Sequence, residues 1–126
     1  MRYLMIHKLD ESLPEAWNPS PEFIEQMGTF MEEYATSGVL LAAEGVHKSD
    51  QGAIVRKDSS GLNVTDGPFS EAREVIGGFA LVKVADKQEA VELAKRFADL
   101  FPEVSVEVRR VFEEEDFAEL PGQPES

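Results

Sequence analysis

Two histidines, His7 and His47, are the side chains of this sequence whose ordinary pKa lets them trade a proton near neutrality. His47 ends the segment Glu44-Gly45-Val46-His47 behind a strand-like apolar run, where an imidazole can reach a pocket and work as acid or base. The competing reading is a solvated loop histidine beside Lys48. Asp66 closes a second β-compatible run immediately before Gly67-Pro68. A carboxylate there can act as a base or orient a histidine, or it can bond its own backbone to build the turn. Gly67 and Pro68 read as backbone devices without chemistry of their own. Glu107 and Arg109 stand two apart on a strand and share a face. They suit a mutual or cross-subunit ion pair, or a guanidinium that holds an anionic group. Glu44 joins that group if its strand turns it inward, a phase that Gly45 leaves open through a bulge. His7 ends the first strand on the face of Tyr3 and Met5, either lining the same space or making an interfacial hydrogen bond.

Several chemistries are disfavoured at once. Cysteine is absent, which removes disulfides, thiolate zinc sites and cysteine nucleophiles. No phosphate-cradling glycine loop, nucleophile elbow or histidine pair at metal-ligand spacing occurs, so neither cofactor nor metal is expected. Twelve basic residues against twenty-five acidic ones leave a net charge of −13, a field that repels nucleic acid and anionic membranes. No apolar run approaches the roughly 20 residues of a spanning helix, and the N-terminus lacks a secretory pattern. A cytoplasmic protein is the expectation.

The elements that must position these residues follow from periodicity. At 126 residues, one core and one domain are expected. Residues 2–7 are apolar on both alternating faces and read as a central strand. Ser20-Pro21-Glu22 opens a helix whose stripe is Phe23, Met27, Phe30, Met31 and Tyr34, and Thr36-Ser37-Gly38 stops it. Residues 39–46 form a second strand. Two short β runs around Lys57-Asp58-Ser59-Ser60-Gly61 predict a hairpin. A short helical turn is expected from Ser70, with Ser70, Glu71 and Arg73 capping and charging it. Gly77-Gly78 opens the strand 79–84, and two glycines there relieve crowding at an entrance or bulge. Asp86 and Glu89 approximate a capping box for a helix faced by Ala90, Leu93, Ala94, Phe97 and Phe101, which Pro102 ends. Residues 104–111 form the last strand, and 113–126 make an acidic extension to a domain spanning 1–112, its end expected to be disordered.

The order β-α-β, hairpin, β-α-β is the split βαβ plan of an α+β, ferredoxin-like fold, an antiparallel sheet with both helices on one face. If Leu4, Ile6, Ala80, Val82, Val84, Val104, Val106 and Val108 pack under the helices, then Tyr3, Met5, Phe79, Leu81, Glu107 and Arg109 occupy the other face. That face is too apolar for water and predicts a homodimer with sheets facing, a dimeric α+β barrel, around a mixed apolar and polar space. Tyr3, Glu44, Glu107 and Arg109 are then candidates to hold a small-molecule ligand.

The run Thr65-Asp66-Gly67-Pro68-Phe69-Ser70-Glu71-Ala72-Arg73-Glu74, with Ile76-Gly77-Gly78-Phe79, resembles the signature of the DGPF subgroup of YCII-related proteins. Residues 44–47 and 106–112 are similar to the family's flanking segments, so the likeness covers nearly the whole chain. Lysine is common in the family where this chain has Arg73, and proline where it has Lys48 and Arg110. The resemblance implies a ferredoxin-like subunit in a dimeric barrel. Some relatives look like acid–base lyases or dehydrochlorinases built on a His/Asp pair, and DGPF proteins have been linked to sigma-factor-associated regulation. Two functions are therefore expected of comparable weight. One is a cofactor-free lyase or isomerase, with His47 as acid–base group, Asp66 orienting it and Arg109 holding an anionic substrate. The other is a non-catalytic small-molecule-binding or regulatory module.

Overall fold

The computed structural model describes residues 1–69 and 74–122, and the helical turn expected from Ser70 lies outside the described residues. In chain order the elements are β1 (Arg2–Leu9), α1 (Pro21–Thr36), β2 (Leu40–Gly45), β3 (Ala53–Asp58), β4 (Gly61–Asp66), β5 (Val75–Lys83), α2 (Lys87–Ala98), β6 (Ser105–Arg110) and α3 (Glu114–Ala118). Single 3-10 turns stand at Pro14–Trp17 and Ser49–Gln51. The main sheet runs β2-β5-β1-β6 with antiparallel neighbours, the order of a ferredoxin-like α+β fold, and β3 and β4 form a separate hairpin. Among the described residues no helix is long and apolar enough to cross a membrane.

Local chemistry sets the helix ends. The Phe23 N–H donates to Ser20 Oγ at 3.1 Å, a cap worth about 1 kcal/mol. Gly38, at φ +83°, ends α1 in a left-handed turn that a side chain would strain. The Glu89 N–H donates to Asp86 Oδ1 at 2.9 Å, while the Glu89 carboxylate reaches back to the Ala85 N–H at 3.3 Å. α2 presses Ala90, Leu93, Ala94 and Phe97 into the core, whereas every residue of α1 keeps some exposure. The stripe of α1 thus packs only partly against the sheet.

The side-chain phase of β1 is the reverse of the sequence expectation. Tyr3 pairs with Val82 and Met5 with Ala80, and paired residues share a face. Tyr3 and Met5 are accordingly 5% and 2% exposed, in the core beneath the helices with Val82, Val84 and Phe97. Leu4 and Ile6 lie on the opposite face. Both alternating sets of β1 are apolar, so nothing within the strand fixes its phase, and only register with β5 and β6 decides it. The expectations for Ala80, Val82, Val84, Val106 and Val108 hold.

Two rows cross the open face: Glu44, Phe79, Ile6 and Glu107 in one, Ala42, Leu81, Leu4 and Arg109 in the next. The chain's acidic end turns back on the sheet. Arg2 Nε meets Glu113 Oε1 at 2.8 Å, Arg110 pairs with Asp116, and Phe112 stacks on Phe117 at 4.9 Å between ring centres.

Candidate functional site

Two residues before the end of β1, His7 points to the same side as Met5, under the helices and towards the end of the sheet. Its imidazole lies 5.4 Å, between ring centres, from both Phe97 of α2 and Phe101 beyond it. Room for the ring comes from β5. Register between β1 and β5 shifts after His7, with Gly77 as the extra residue. A Cβ on Gly77 would stand 2.8 Å from His7 Nε2, and one on Gly78 2.7 Å from His7 Cε1. Any side chain at either position would displace the histidine. The pair of glycines does relieve crowding at a bulge, and the crowding group is His7.

A cavity of about 900 Å³ opens beside this ring, between the sheet, α1 and the β1–α1 connection. It exists because α1 packs incompletely: Phe23, Met27 and Met31 turn towards it, opposite Phe97 and Phe101. The connection closes one side with Leu13 and Trp17, whose Nε1–H donates to the Val46 carbonyl at 3.3 Å and ties this segment to the end of β2. Asp10, Glu44 and Glu103 are also among the residues that line it.

Within this apolar wall His7 is the group with proton chemistry near neutrality. Among the described residues it has no hydrogen-bond partner, and neither ring nitrogen is sealed from the surface. Burial lowers its pKa from the usual 6.5, because desolvation penalises the imidazolium. At pH 7 the ring is neutral, with one N–H donor and one acceptor nitrogen to offer.

The other candidates lie elsewhere. His47 is exposed in the β2–β3 connection, and Asp66 is exposed at the end of β4, paired with Ala53. Among the described residues no hydrogen bond or ion pair joins them. What the Asp66-Gly67-Pro68-Phe69 turn does contact is Ser49. The Gly67 N–H donates to the Gly52 carbonyl at 2.9 Å and the Phe69 N–H to Ser49 Oγ at 2.9 Å. Ser49 is in turn held by the Glu11 carboxylate through its N–H and hydroxyl. Gly67 is required for close approach, since a Cβ would overlap the Ser49 carbonyl.

Glu107 is clasped on the open face by Lys8 Nζ at 2.9 Å and Arg109 Nη1 at 3.0 Å, and these partners, Lys8 first, hold its carboxyl below the usual range. That is the ion pair expected of Glu107 and Arg109, with Lys8 added. Glu44 shares the open face in register with Phe79 and does not reach this cluster, which lies at the far side of the sheet. Tyr3 is in the core, so its expected place on the open face is corrected.

The sequence reading passed over Phe23, Met27, Met31, Trp17 and the glycine pair as parts of a site. Their signal is split across α1, the connection and β5, and only pairing of His7 with Gly78 joins it. A family model described as YCII-related domain matches residues 1–115. An uncharacterized protein of Rhizobium meliloti (strain 1021) is 28% identical over 112 residues, covering 86% of this chain and 90% of that protein.

Proposed function

Because this chain belongs to the YCII-related domain family, we propose that it binds a small organic molecule, and that the molecule sits in the cavity beside His7. One observation carries the reading: an imidazole whose nitrogens have no hydrogen-bond partner among the described residues faces a mostly apolar space of about 900 Å³. An apolar pocket with few polar groups is the usual shape of a small-molecule site. Aromatic side chains such as Trp17, Phe23, Phe97 and Phe101 supply burial for a ligand's hydrocarbon, and His7 supplies direction. The motif Asp66-Gly67-Pro68-Phe69 supports placement in the DGPF subgroup, with a structural part for the turn.

Acid–base turnover is a second reading, favoured by the lowered pKa of His7. A histidine that is unprotonated at neutral pH can accept a proton from a bound substrate, and the desolvated wall would keep water from competing. In this form the lyase or isomerase chemistry moves from His47 and Asp66 to His7. The homodimer also stays part of the proposal, supported by the apolar rows of the open face, and sedimentation that finds only monomer at micromolar protein removes it.

Trp17 is the only tryptophan and lines the cavity, so its fluorescence reports occupancy directly. A fragment screen read by Trp17 emission and by the His7 imidazole nitrogen shifts should find ligands that move both. His7→Gln should weaken them about fivefold to tenfold, the worth of one hydrogen bond. Ligands that shift His47 and leave Trp17 and His7 unmoved would refute this location.

A further inference from the structure

One wall of the cavity is the connection between β1 and α1, residues 10–20, which supplies Leu13, Ala16, Trp17, Asn18 and Pro19. Its internal backbone bonds, from the Leu13 N–H to the Asp10 carbonyl at 3.2 Å and from the Ala16 N–H to the Leu13 carbonyl at 3.1 Å, shape the segment without fixing where it stands. Two side chains carry it to the β2–β3 connection. Trp17 Nε1–H donates to the Val46 carbonyl, and the Glu11 carboxylate accepts from both the N–H and the hydroxyl of Ser49. Ser49 is only 7% exposed, and its hydroxyl is used twice, since it also accepts from the Phe69 N–H at 2.9 Å. The Ser49 carbonyl lies where a Cβ on Gly67 would stand. Glu11, Ser49 and the turn from Gly67 to Phe69 thus form one chain of contacts. It runs from the cavity wall to a turn that is absent from the described lining.

From this chain of contacts we infer that Ser49 is a positioning residue for the cavity: it grips Glu11 and fixes the β1–α1 connection, with the turn after β4 as its anchor. The inference rests on the cavity being a ligand site, and it adds what holds the wall in place. The effect is preorganisation. A connection left to wander must be ordered when a ligand arrives, and apparent affinity falls with the fraction of molecules in the competent state. Serine suits the position because one small hydroxyl both donates and accepts, whereas alanine does neither. The Asp66-Gly67-Pro68-Phe69 motif then acts on a site that it does not touch.

Four variants of the full chain test this: Ser49→Ala, Glu11→Ala, Glu11→Gln and the double variant Glu11→Ala/Ser49→Ala. The probe is N-phenyl-1-naphthylamine, an uncharged aromatic molecule, and Trp17 is the reporter. Urea unfolding and circular dichroism establish that each variant is folded under the assay conditions. Should Ser49→Ala not fold, the two Glu11 variants carry the comparison. Without probe, acrylamide should quench Trp17 more readily in both alanine variants. Affinity for the probe should fall about tenfold, the worth of a hydrogen bond to a charged group. Glu11→Gln keeps an acceptor oxygen and should retain most of the affinity. The double variant should bind no more weakly than Ser49→Ala, because both substitutions cut the same link. If the alanine variants bind the probe and shield Trp17 as the unaltered chain does, or if their losses add in the double variant, the inference is overturned and the cavity reading survives. If the probe moves neither Trp17 emission nor the His7 resonances in the unaltered chain, the cavity reading fails, while the acrylamide comparison still decides whether Ser49 holds the connection.

Discussion

The main sheet and the β3–β4 hairpin use similar residues to opposite ends. β5 contributes Ala80 and Val82 at 4% and 1% exposure, whereas Val55, Leu62 and Val64 of the hairpin are 65%, 71% and 66% exposed. Both regions satisfy β-propensity and both pair antiparallel. What differs is the third element. The sheet has α2 laid across it, while the base of the hairpin is fastened through Ser49, which accepts from the Phe69 N–H and is held in turn by Glu11. Propensity makes a strand, and a covering layer makes it a core.

The largest expected break in that comparison is Phe97→Ala. Phe97 is 3% exposed and touches the rings of His7, Phe30 and Phe101, so truncation should cost about 3–5 kcal/mol in urea unfolding. Val64→Thr on the hairpin should stay within about 0.5 kcal/mol in the same measurement. Equal losses at the two positions would mean that the hairpin is covered in solution.

A smaller effect concerns pH. The folded state depresses the His7 pKa below the 6.5 of a free imidazole, so the unfolded chain takes up the proton first as pH falls. The stability that neutral His7 permits is complete above pH 6.5, declines as the pH drops towards the folded value, and is flat below it. His7→Gln should lose this part of the slope, which begins as the pH falls through 6.5. His47 remains in both proteins, so subtracting the two curves isolates His7. Parallel stability curves would show that His7 is solvated in the folded protein.

The contrast between the two histidines shows how far the site could be read in advance. His47 sits in a glycine-containing loop with an aspartate motif downstream, which looks like chemistry in one dimension. Its loop is instead fastened by Ser49 and Glu11, and the imidazole faces outward. His7 looked like a strand-end histidine with a structural bond to make. Nothing near it in sequence marks Gly77, Phe97 or Phe101 as neighbours, because those residues lie some seventy to ninety-four positions away.

By itself the sequence determined the order of elements, both helix caps, the hairpin, the buried stripe of α2 and the face shared by Glu107 and Arg109, since each depends on spacing within one segment. Tertiary structure alone decided which apolar side of β1 is core, because that strand is apolar on both sides and register is a property of pairs. It also decided that α1 stands partly clear of the sheet, and so that a cavity exists beside His7. A void depends on how layers meet, and no single segment encodes it.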